Sequence, residues 1–378
     1  MNKRWFISGG GIIAIIAVLV IIYAGMANQH KPEKTVKAFN EAVEKNDTNT
    51  LKKLVEPDKQ EAVINKTSLS AFVAYLKENN ESFQVIKDEL KKQIEDKDFT
   101  SSKEQVSLFE DGKTMGIFPN YKLKIRTVNL KAKGQDDSDK LSLAIKGEKR
   151  PLNKVDKKKE IFGPIFPGEY KVKATVKNAL GTFDKEEKKD VWGDADVSFL
   201  IDDEKLARGN KKVEKDIINA TNNFNEDMSV YVTSGFNPDK FTNSTNDFKK
   251  KLIGLDDDFK AIKGHVKNME SQFLESIINM DDLDLSLFEG DWTAEVSVLV
   301  SYNEKVKMEK EKDFIDVSYK NLRHFTLKYD KHKGKWMVDD LISEKADGTE
   351  TEDWENKKTI KIDNPPVHKW SNKKDSFI

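Results

Sequence analysis

The residue types that most often carry out catalysis are present, but their spacing forms no recognised catalytic or metal-binding pattern. No histidine has a second histidine three or four residues away, and the chain contains no HExxH, GxSxG, P-loop or GxGxxG sequence. Cysteine is absent, which excludes disulfides, thiolate chemistry and cysteine-bound zinc. We therefore expect no enzyme activity, no cofactor and no metal site. The histidines are His30, His265, His324, His332 and His368.

Two weaker chemical signals have simpler explanations. The acidic runs at 256–258 and 281–284 carry carboxylates suited to calcium, but they lack the glycine and the spaced oxygens of an EF-hand loop. Solvated charge is the favoured interpretation of both runs. His324 is the nearest catalytic candidate if the C-terminal domain encloses a pocket. It alternates with Phe325 and Leu327, which places it on the outer face of a strand whose aromatic side chains point inward.

Positive charge is concentrated in one part of the chain. Between Lys122 and Lys177 there are 16 basic and 7 acidic residues, whereas the whole chain has a net charge of -1. Alternation along strands explains basic residues such as Lys122 and Lys124 as solvent-facing positions. It explains less well a cluster that falls in a loop, and concentrated positive charge attracts polyanions. This hypothetical polyanion site comprises Lys149, Arg150, Lys154, Lys157, Lys158 and Lys159.

The first residues predict a membrane anchor. An uncharged run from Phe6 to Ala27 is about 22 residues long, enough for a helix to cross the ~30 Å hydrocarbon core. Lys3 and Arg4 precede it, which favours a cytoplasmic N-terminus and an exported remainder. A cleaved signal peptide is the alternative, because 25–27 reads as a small-x-small cleavage site. Residues of the predicted anchor include Ile12, Ile16, Val20 and Tyr23.

Hydrophobic periodicity divides the exported part into regions. Apolar residues recur at helical spacing from Lys31 to about Asp111, alternate at period two from near Thr114, and return to helical spacing after Asp202. The chain after about Lys345 is charged, and we expect it to be weakly ordered, with Trp354 and Trp370 as docking points. The predicted regions are a stub at 1–5, the anchor at 6–27, a helical domain at 28–113, antiparallel β modules at 114–203, an α+β domain at 204–345 and a charged tail at 346–378.

Two further expectations concern the β-rich regions. Ile117-Phe118-Pro119 and Ile165-Phe166-Pro167 each precede an alternating Tyr-Lys stretch, so the β region contains either two tandem modules or a coincidence of similar strand starts. In the last domain, alternation predicts one core beneath helices between Ile217 and Ile262. The strand residues of that core are Trp292, Val296, Val298, Val300, Phe325 and Trp336.

This layout resembles the TcaA/YvbJ family, the teicoplanin-resistance-associated membrane proteins of Gram-positive bacteria. The resemblance rests on the order of the regions, on the segment from Phe162 to Ala174 with its Pro-Gly-Glu-Tyr sequence, and on Gly334-Lys335-Trp336-Met337-Val338. It implies a cone-shaped, nuclear-transport-factor-like fold for the C-terminal domain. It also implies a cell-envelope role connected with wall-active antibiotics. Family members often begin with a cytoplasmic zinc ribbon, which a chain without cysteine cannot form.

The sequence thus predicts a non-enzymatic, single-pass membrane protein whose extracellular region binds wall polymer or proteins of wall synthesis. Its expected partners are the lipid bilayer, teichoic acid or a peptidoglycan component, and wall-synthesis proteins. Nucleic acid is excluded by the predicted location outside the membrane. The alternatives are a regulatory scaffold that acts through protein–protein contacts and, third, an enzyme in the C-terminal cone.

Overall fold

The computed structural model describes residues 18, 23, 25–100 and 104–372. Most of the predicted membrane anchor, including Ile12, Ile16 and Val20, lies outside these residues. Tyr23 lies within them, and its ring centroid is 5.1 Å from that of Phe118. Among the described residues, no helix combines the length and the apolar character needed to cross a bilayer.

The chain divides into two compact units. Unit 1 comprises 1–135, 141–176 and 184–201, and unit 2 comprises 136–140, 177–183 and 202–378. Each unit is described separately below.

Unit 1 begins with helices whose ends are fixed by local side chains. Asp47 accepts hydrogen bonds from the backbone of the first turn of the second helix, and Asn65 and Ser68 form a reciprocal capping box at the third. The predicted helical pattern to Asp111 was wrong in its extent, since the last helix ends at Asp96. The helices are α1 (Pro32–Glu44), α2 (Thr48–Leu54), α3 (Lys66–Glu78) and α4 (Asn80–Asp96).

In the described residues up to Leu200, ten strands form three sheets with orders β1-β3-β2, β10-β4-β7-β6 and β5-β8-β9. The first strand lies between α2 and α3, and the third sheet includes Lys140 and residues of 177–183, which are grouped with unit 2. The helices and the first sheet share one hydrophobic core. That core includes Phe39, Phe72, Leu108, Leu123 and also Phe166. The strands are β1 (Val55–Pro57), β2 (Val106–Thr114), β3 (Phe118–Ile125), β4 (Val128–Lys133), β5 (Lys140–Ile145), β6 (Lys154–Asp156), β7 (Ile161–Ile165), β8 (Gly168–Asn178), β9 (Gly181–Val191) and β10 (Val197–Leu200).

The two similar Phe-Pro motifs occupy different positions in unit 1. Phe118-Pro119 lies inside β3, which pairs with β1 and β2. Ile165 ends β7, and Phe166-Pro167 connects it to β8, a strand of another sheet. The two motifs therefore do not start equivalent pairs of strands.

Unit 2 combines helices with a long antiparallel sheet. Its sheet has the order β16-β15-β13-β11-β17, with β12 and β14 also paired to β13 and β18 paired to β11. The helices are α5 (Asp203–Arg208), α6 (Lys211–Val232), α7 (Asn246–Lys251) and α8 (Leu255–Ile262). The strands are β11 (Val266–Asn279), β12 (Asp284–Phe288), β13 (Asp291–Met308), β14 (Ile315–Asp316), β15 (Tyr319–Asp330), β16 (Lys335–Ala346), β17 (Lys357–Lys361) and β18 (His368–Ser371).

The predicted core of the last domain is confirmed. All six predicted strand residues are buried in one cluster with Ile217 and Phe224 of α6 and Phe248 of α7. Phe259 of α8 instead packs in a separate cluster with Val266 and Met269. The alternation identified the inward face because a period of two leaves one side of each strand apolar.

The expectation of a weakly ordered tail was wrong. β17 pairs with 275–279 of β11, and β18 pairs with 268–271 of the same strand. Trp370 of β18 packs edge-on against Phe259, with 5.1 Å between ring centroids. The tail thus pairs with the backbone groups of β11, which would otherwise form an open sheet edge. The high charge of the tail gave no sign of this pairing in the sequence.

Candidate binding site

Unit 1 contains a cavity of ≈ 580 Å³, within the range of small-molecule sites. Its wall is formed by the chain leading into α3, the connection from β5 to β6, and the connection from β7 to β8. The lining includes apolar side chains such as Ile145, Leu152 and Phe166, together with polar and charged groups. The polar and charged residues of the lining are Glu61, Asn65, Ser68, Glu148, Lys149, Arg150, Asn153 and Tyr170.

The Pro-Gly-Glu-Tyr segment fixes one wall of the cavity against α3. Gly168 has φ +156, and a Cβ atom there would lie 2.6 Å from the backbone carbon of Ala71. Only glycine permits this close approach of strand to helix. Two residues later, the buried hydroxyl of Tyr170 donates a 2.7 Å hydrogen bond to the carbonyl of Phe166. Burial raises the pKa of Tyr170, so the phenol stays neutral and keeps this bond.

Charged side chains of both signs line the cavity without neutralising one another. Lys149 and Arg150 are exposed, and Glu61 is exposed on another part of the lining. Within the part of the chain that the structure describes, none of these three, nor Glu148, forms a salt bridge within 4 Å. Glu148 is held by the side chain of Asn65, whose Nδ2 donates a 2.8 Å hydrogen bond to Oε1. The cavity thus presents unpaired charges to solvent.

The structure splits the predicted polyanion site into separate places. Of the six residues, Lys149 and Arg150 line the cavity. Lys154 is paired with Glu160 at 2.6 Å and its ammonium lies 5.2 Å from the ring centroid of Phe162. The three lysines at 157–159 lie in the exposed turn between β6 and β7, at the end of the hairpin away from the cavity-lining residue Asn153. The backbone amides of Lys158 and Lys159 donate to Asp156.

Two strand lysines of the same basic region are neutralised by carboxylates. Lys122 lies 2.6 Å from Glu56 and 2.7 Å from Asp111, and Lys173 lies 2.8 Å from Asp184. These pairs raise the pKa of both lysines, chiefly through hydrogen bonds to the carboxylates. The positive charge of these two lysines is therefore less available to a ligand than that of the unpaired cavity residues Lys149 and Arg150.

Sequence reasoning missed the acidic and amide residues of the cavity. Glu61 and Asn65 precede α3, more than 80 positions before Glu148, and no local pattern connects them. In the sequence, Glu148 is only one negative charge within a basic region. The one usable signal was Asn65 followed by Ser68, which is a helix start and therefore a set of polar groups beside a turn.

Unit 2 has a polar cluster of a different kind, in its interior. Arg323 is 2% exposed, and its Nη1 donates to the side chain of Asn225 at 2.5 Å and to the hydroxyl of Tyr302 at 2.9 Å. Burial raises the pKa of Tyr302 to about 12 and also raises the pKa of Glu304. These hydrogen bonds tie the buried guanidinium of β15 to α6 and to β13 in the interior of unit 2.

His324 lies on the outer face of the sheet, as predicted. It is exposed, whereas Phe325 is 1% exposed. Its Nδ1 is 2.9 Å from Oγ of Ser297, and that hydroxyl donates to Asp282. Serine therefore lies between the acid and the imidazole, whereas in a nucleophilic triad the imidazole lies between serine and acid.

The acidic runs are held by neighbouring groups. Lys260 lies 2.9 Å from Asp256 and 2.8 Å from Asp257. Asp281 accepts a hydrogen bond from the backbone amide of Asn356. In the described ranges there is no cluster of three or more acidic or histidine side chains arranged to hold a metal ion.

Comparison with known proteins agrees with this architecture. The family model of the TcaA protein second domain matches residues 32–125, which cover α1–α4 and the first sheet of unit 1. The model of the YvbJ NTF2-like domain matches residues 217–342, which cover most of unit 2. The chain is thus a multidomain protein that joins a TcaA-type domain to an NTF2-like domain.

A curated relative carries the same family name. The uncharacterised membrane protein YvbJ of Bacillus subtilis (strain 168) is 28% identical over 200 residues, which are 53% of this chain and 31% of the relative. The two domain matches and this relative, which is described as a membrane protein, support the TcaA/YvbJ family for this chain. The match spans about a third of the relative's length.

Proposed function

We propose that this protein is a single-pass, membrane-anchored protein of the cell envelope that binds an anionic wall polymer, without catalysis, through the cavity of unit 1. The observation that carries the proposal is the ≈ 580 Å³ cavity lined by the unpaired cations Lys149 and Arg150. The uncharged N-terminal run and the membrane-protein description of the relative support an anchor.

A cavity is better suited to recognising one repeat unit of a polymer than a flat charged surface is. An arginine gives a planar fork that matches the oxygens of a phosphodiester, and a neighbouring lysine adds a point charge. The apolar residues Ile145, Leu152 and Ile165 line the same space, and they suit the carbon backbone between phosphates. Teichoic acid, a phosphodiester polymer, has this composition.

Binding rather than turnover is the simpler role for these groups. The cavity's cations are exposed, and its buried tyrosine hydroxyl is committed to the carbonyl of Phe166. General acid–base catalysis needs a group with free access to a reacting atom and a pKa near the working pH. On the outer sheet face, the order of Asp282, Ser297 and His324 is unsuited to nucleophilic attack.

The test is binding of the full chain, in detergent, to purified teichoic acid. The double variant Lys149→Glu with Arg150→Glu is compared with Lys157→Glu with Lys158→Glu, which makes the same change in net charge at the far end of the hairpin. We expect the cavity variant to lose binding by at least tenfold and the hairpin variant to lose much less. The attraction is screened over ~8–10 Å at physiological salt, so binding weakens as salt rises.

Three outcomes would contradict the proposal. Equal losses in the two variants would show a diffuse basic surface instead of a cavity site. Binding that survives high salt and both variants would move the interaction elsewhere in the molecule. Absence of binding by the wild-type chain would reject wall-polymer recognition and favour the scaffold hypothesis.

The anchor and its orientation need a separate experiment. Protease added to intact protoplasts should degrade everything beyond the anchor and leave a short membrane-embedded fragment. A soluble mature form that begins at Asn28 would show a cleaved signal peptide instead.

We also propose that wall-polymer binding changes susceptibility to glycopeptide antibiotics, because such antibiotics must cross the same wall. Teicoplanin susceptibility is compared in cells with the wild-type chain and with the cavity variant at equal expression. Equal susceptibility would separate the binding activity from any antibiotic effect.

A further inference from the structure

The cavity of unit 1 carries carboxylates as well as cations, and this determines which form of polymer fits it. Resting on the function proposed above, we infer that the cavity recognises a polymer that bears both a phosphate and a nearby ammonium group, namely D-alanylated teichoic acid. The phosphate contacts Lys149 and Arg150. The alanyl ammonium contacts Glu148 and Glu61.

The two signs of charge meet in the same cavity and stay unpaired. Glu61, Glu148, Lys149 and Arg150 all line it, yet in the described part of the chain no ion pair within 4 Å joins any of the four. Elsewhere in unit 1, charges of opposite sign close onto each other, as in Lys154–Glu160 at 2.6 Å. A ligand with both signs satisfies all four groups at once.

The carboxylate of Glu148 is positioned before a ligand binds. Asn65 Nδ2 donates to Oε1 of Glu148 at 2.8 Å, and Asn65 is itself fixed as the cap of α3, since its Oδ1 accepts from the backbone amide of Ser68 at 3.0 Å. The carboxylate is therefore held by a rigid helix start, and an ammonium needs only its other oxygen. A pre-positioned acceptor loses little side-chain freedom on binding.

The mixed charges of the cavity also disfavour ligands that carry only one sign of charge. A polymer with phosphate alone brings negative charge toward Glu61 and Glu148, which repel it and are left desolvated. A ligand that carries only an ammonium group is repelled in the same way by Lys149 and Arg150. Each pair of charges thus disfavours a ligand of the wrong type, a common route to specificity.

The expected preference for the esterified polymer is opposite to the preference that net charge alone would give. Each alanyl ester adds a positive charge and lowers the net negative charge of the polymer, so a merely basic surface binds the unesterified polymer more tightly. The cavity assigned here should bind the esterified polymer more tightly.

The test compares D-alanylated teichoic acid with the same preparation after mild alkaline removal of the esters, using the full chain in detergent. We expect wild type to prefer the esterified polymer by about tenfold. Glu61→Gln with Glu148→Gln should remove that preference while raising affinity for the unesterified polymer. Glutamine at 148 keeps an oxygen for the bond from Asn65. The control is Glu160→Gln, which removes an acid outside the cavity lining.

The outcomes separate this inference from the function on which it rests. Equal wild-type affinity for the two polymers, or a preference for the unesterified form, overturns the inference and leaves wall-polymer binding intact. Binding of neither polymer overturns both. A preference that survives the double glutamine variant overturns the role of the two carboxylates. If the double variant has a lowered melting temperature, the single variant Glu61→Gln is used in the same comparison, because this exposed residue can be changed with little effect on folding.

Discussion

Each unit contains an arginine in polar surroundings, and the two arginines differ in what surrounds them. Arg150 of unit 1 is exposed beside a ≈ 580 Å³ cavity and has no salt-bridge partner in the described chain. Arg323 of unit 2 is 2% exposed and donates to Asn225 and Tyr302 in closely packed surroundings. The comparison shows that the number of polar groups does not mark a binding site. Open space beside charged groups that have no ion-pair partner does.

The energetic consequences of the two arginines are also opposite. Removing a buried charged group leaves its hydrogen-bond partners buried and unsatisfied, which costs stability. Removing an exposed charged group changes stability little. Arg323 should therefore matter for folding and Arg150 for binding. The predictions below test this contrast, starting with the largest expected effect.

Arg323→Met should destabilise unit 2 by about 3–5 kcal/mol, because it leaves the polar groups of Asn225 and Tyr302 without their buried partner. The measurement is denaturant unfolding, followed by the tryptophan fluorescence of unit 2. Lys328→Met is the matched control, since it removes a positive charge from an exposed side chain of the same strand, which is paired with Asp339. Teichoic acid binding measured below the unfolding transition should be unchanged. Loss of binding in a folded Arg323→Met protein would contradict the contrast.

Gly168→Ala should destabilise unit 1 by about 2–4 kcal/mol, through backbone strain at φ +156 and a Cβ clash with the backbone of Ala71. Gly181 separates the two causes, because its φ is +150 and nothing lies within 4 Å of its added Cβ. Gly181→Ala should therefore show only the strain, about 1–2 kcal/mol. Thermal melting measures both. Equal losses would show that the approach of Gly168 to α3 is not tight.

Unit 2 should lose stability as pH rises from about 4 to about 7. Burial, then the neighbouring charge of Asp203, raises the pKa of Asp139 from 3.8 to about 7, so the folded state binds more protons than the unfolded state in this window. Asp139 is only half-buried, and solvent screening reduces the size of the effect. Asp139→Asn should remove this part of the pH dependence and raise the melting temperature of unit 2 at pH 8, with little change at pH 4.

Asp137→Asn is the control for that experiment. It removes an exposed carboxylate two residues away, and melting curves from pH 4 to pH 8 should follow those of wild type. If Asp139→Asn also follows wild type throughout, the shared burial of Asp139 and Asp203 has no energetic effect.

The smallest expected effect is on the stability of the cavity variant. Lys149→Glu with Arg150→Glu should change the unfolding free energy by less than about 0.5 kcal/mol, because both side chains are exposed and unpaired. The same variant is expected to lose polymer binding. A large loss of stability would show that these cations hold the loop together, and the binding result would then need a different variant.

Much of unit 2 could be predicted from the sequence. Alternation along β13 and β15 placed Phe325 inside and His324 outside, and both positions are confirmed. The same parity places Arg323 inside, which is easily overlooked in a sequence because arginine is rarely buried. The tail was misjudged for a related reason. Charge and proline indicate weak order, but an open strand edge such as that of β11 can order a polar segment through backbone hydrogen bonds, helped here by the packing of Trp370 on Phe259.

The cavity of unit 1 could be predicted only in part. The loop cations were identified from the local excess of charge, and Lys149 and Arg150 do line the cavity. The separation of these two from 157–159 was not predictable, because a hairpin places residues only eight positions apart at its two ends. The ion pair between Lys154 and Glu160 was not predictable from the sequence either.

The sequence by itself determined the hydrophobic faces, the helix starts, the excess of basic residues between Lys122 and Lys177, and the family that the chain resembles. These features are local, since they depend on spacing within a few residues. Only the tertiary structure decided which charges are used. It brought Glu61 and Asn65 to Glu148, paired Lys122 with Glu56, and enclosed Arg323 within unit 2. Charge acts through space, so its role follows from neighbours that are distant in sequence.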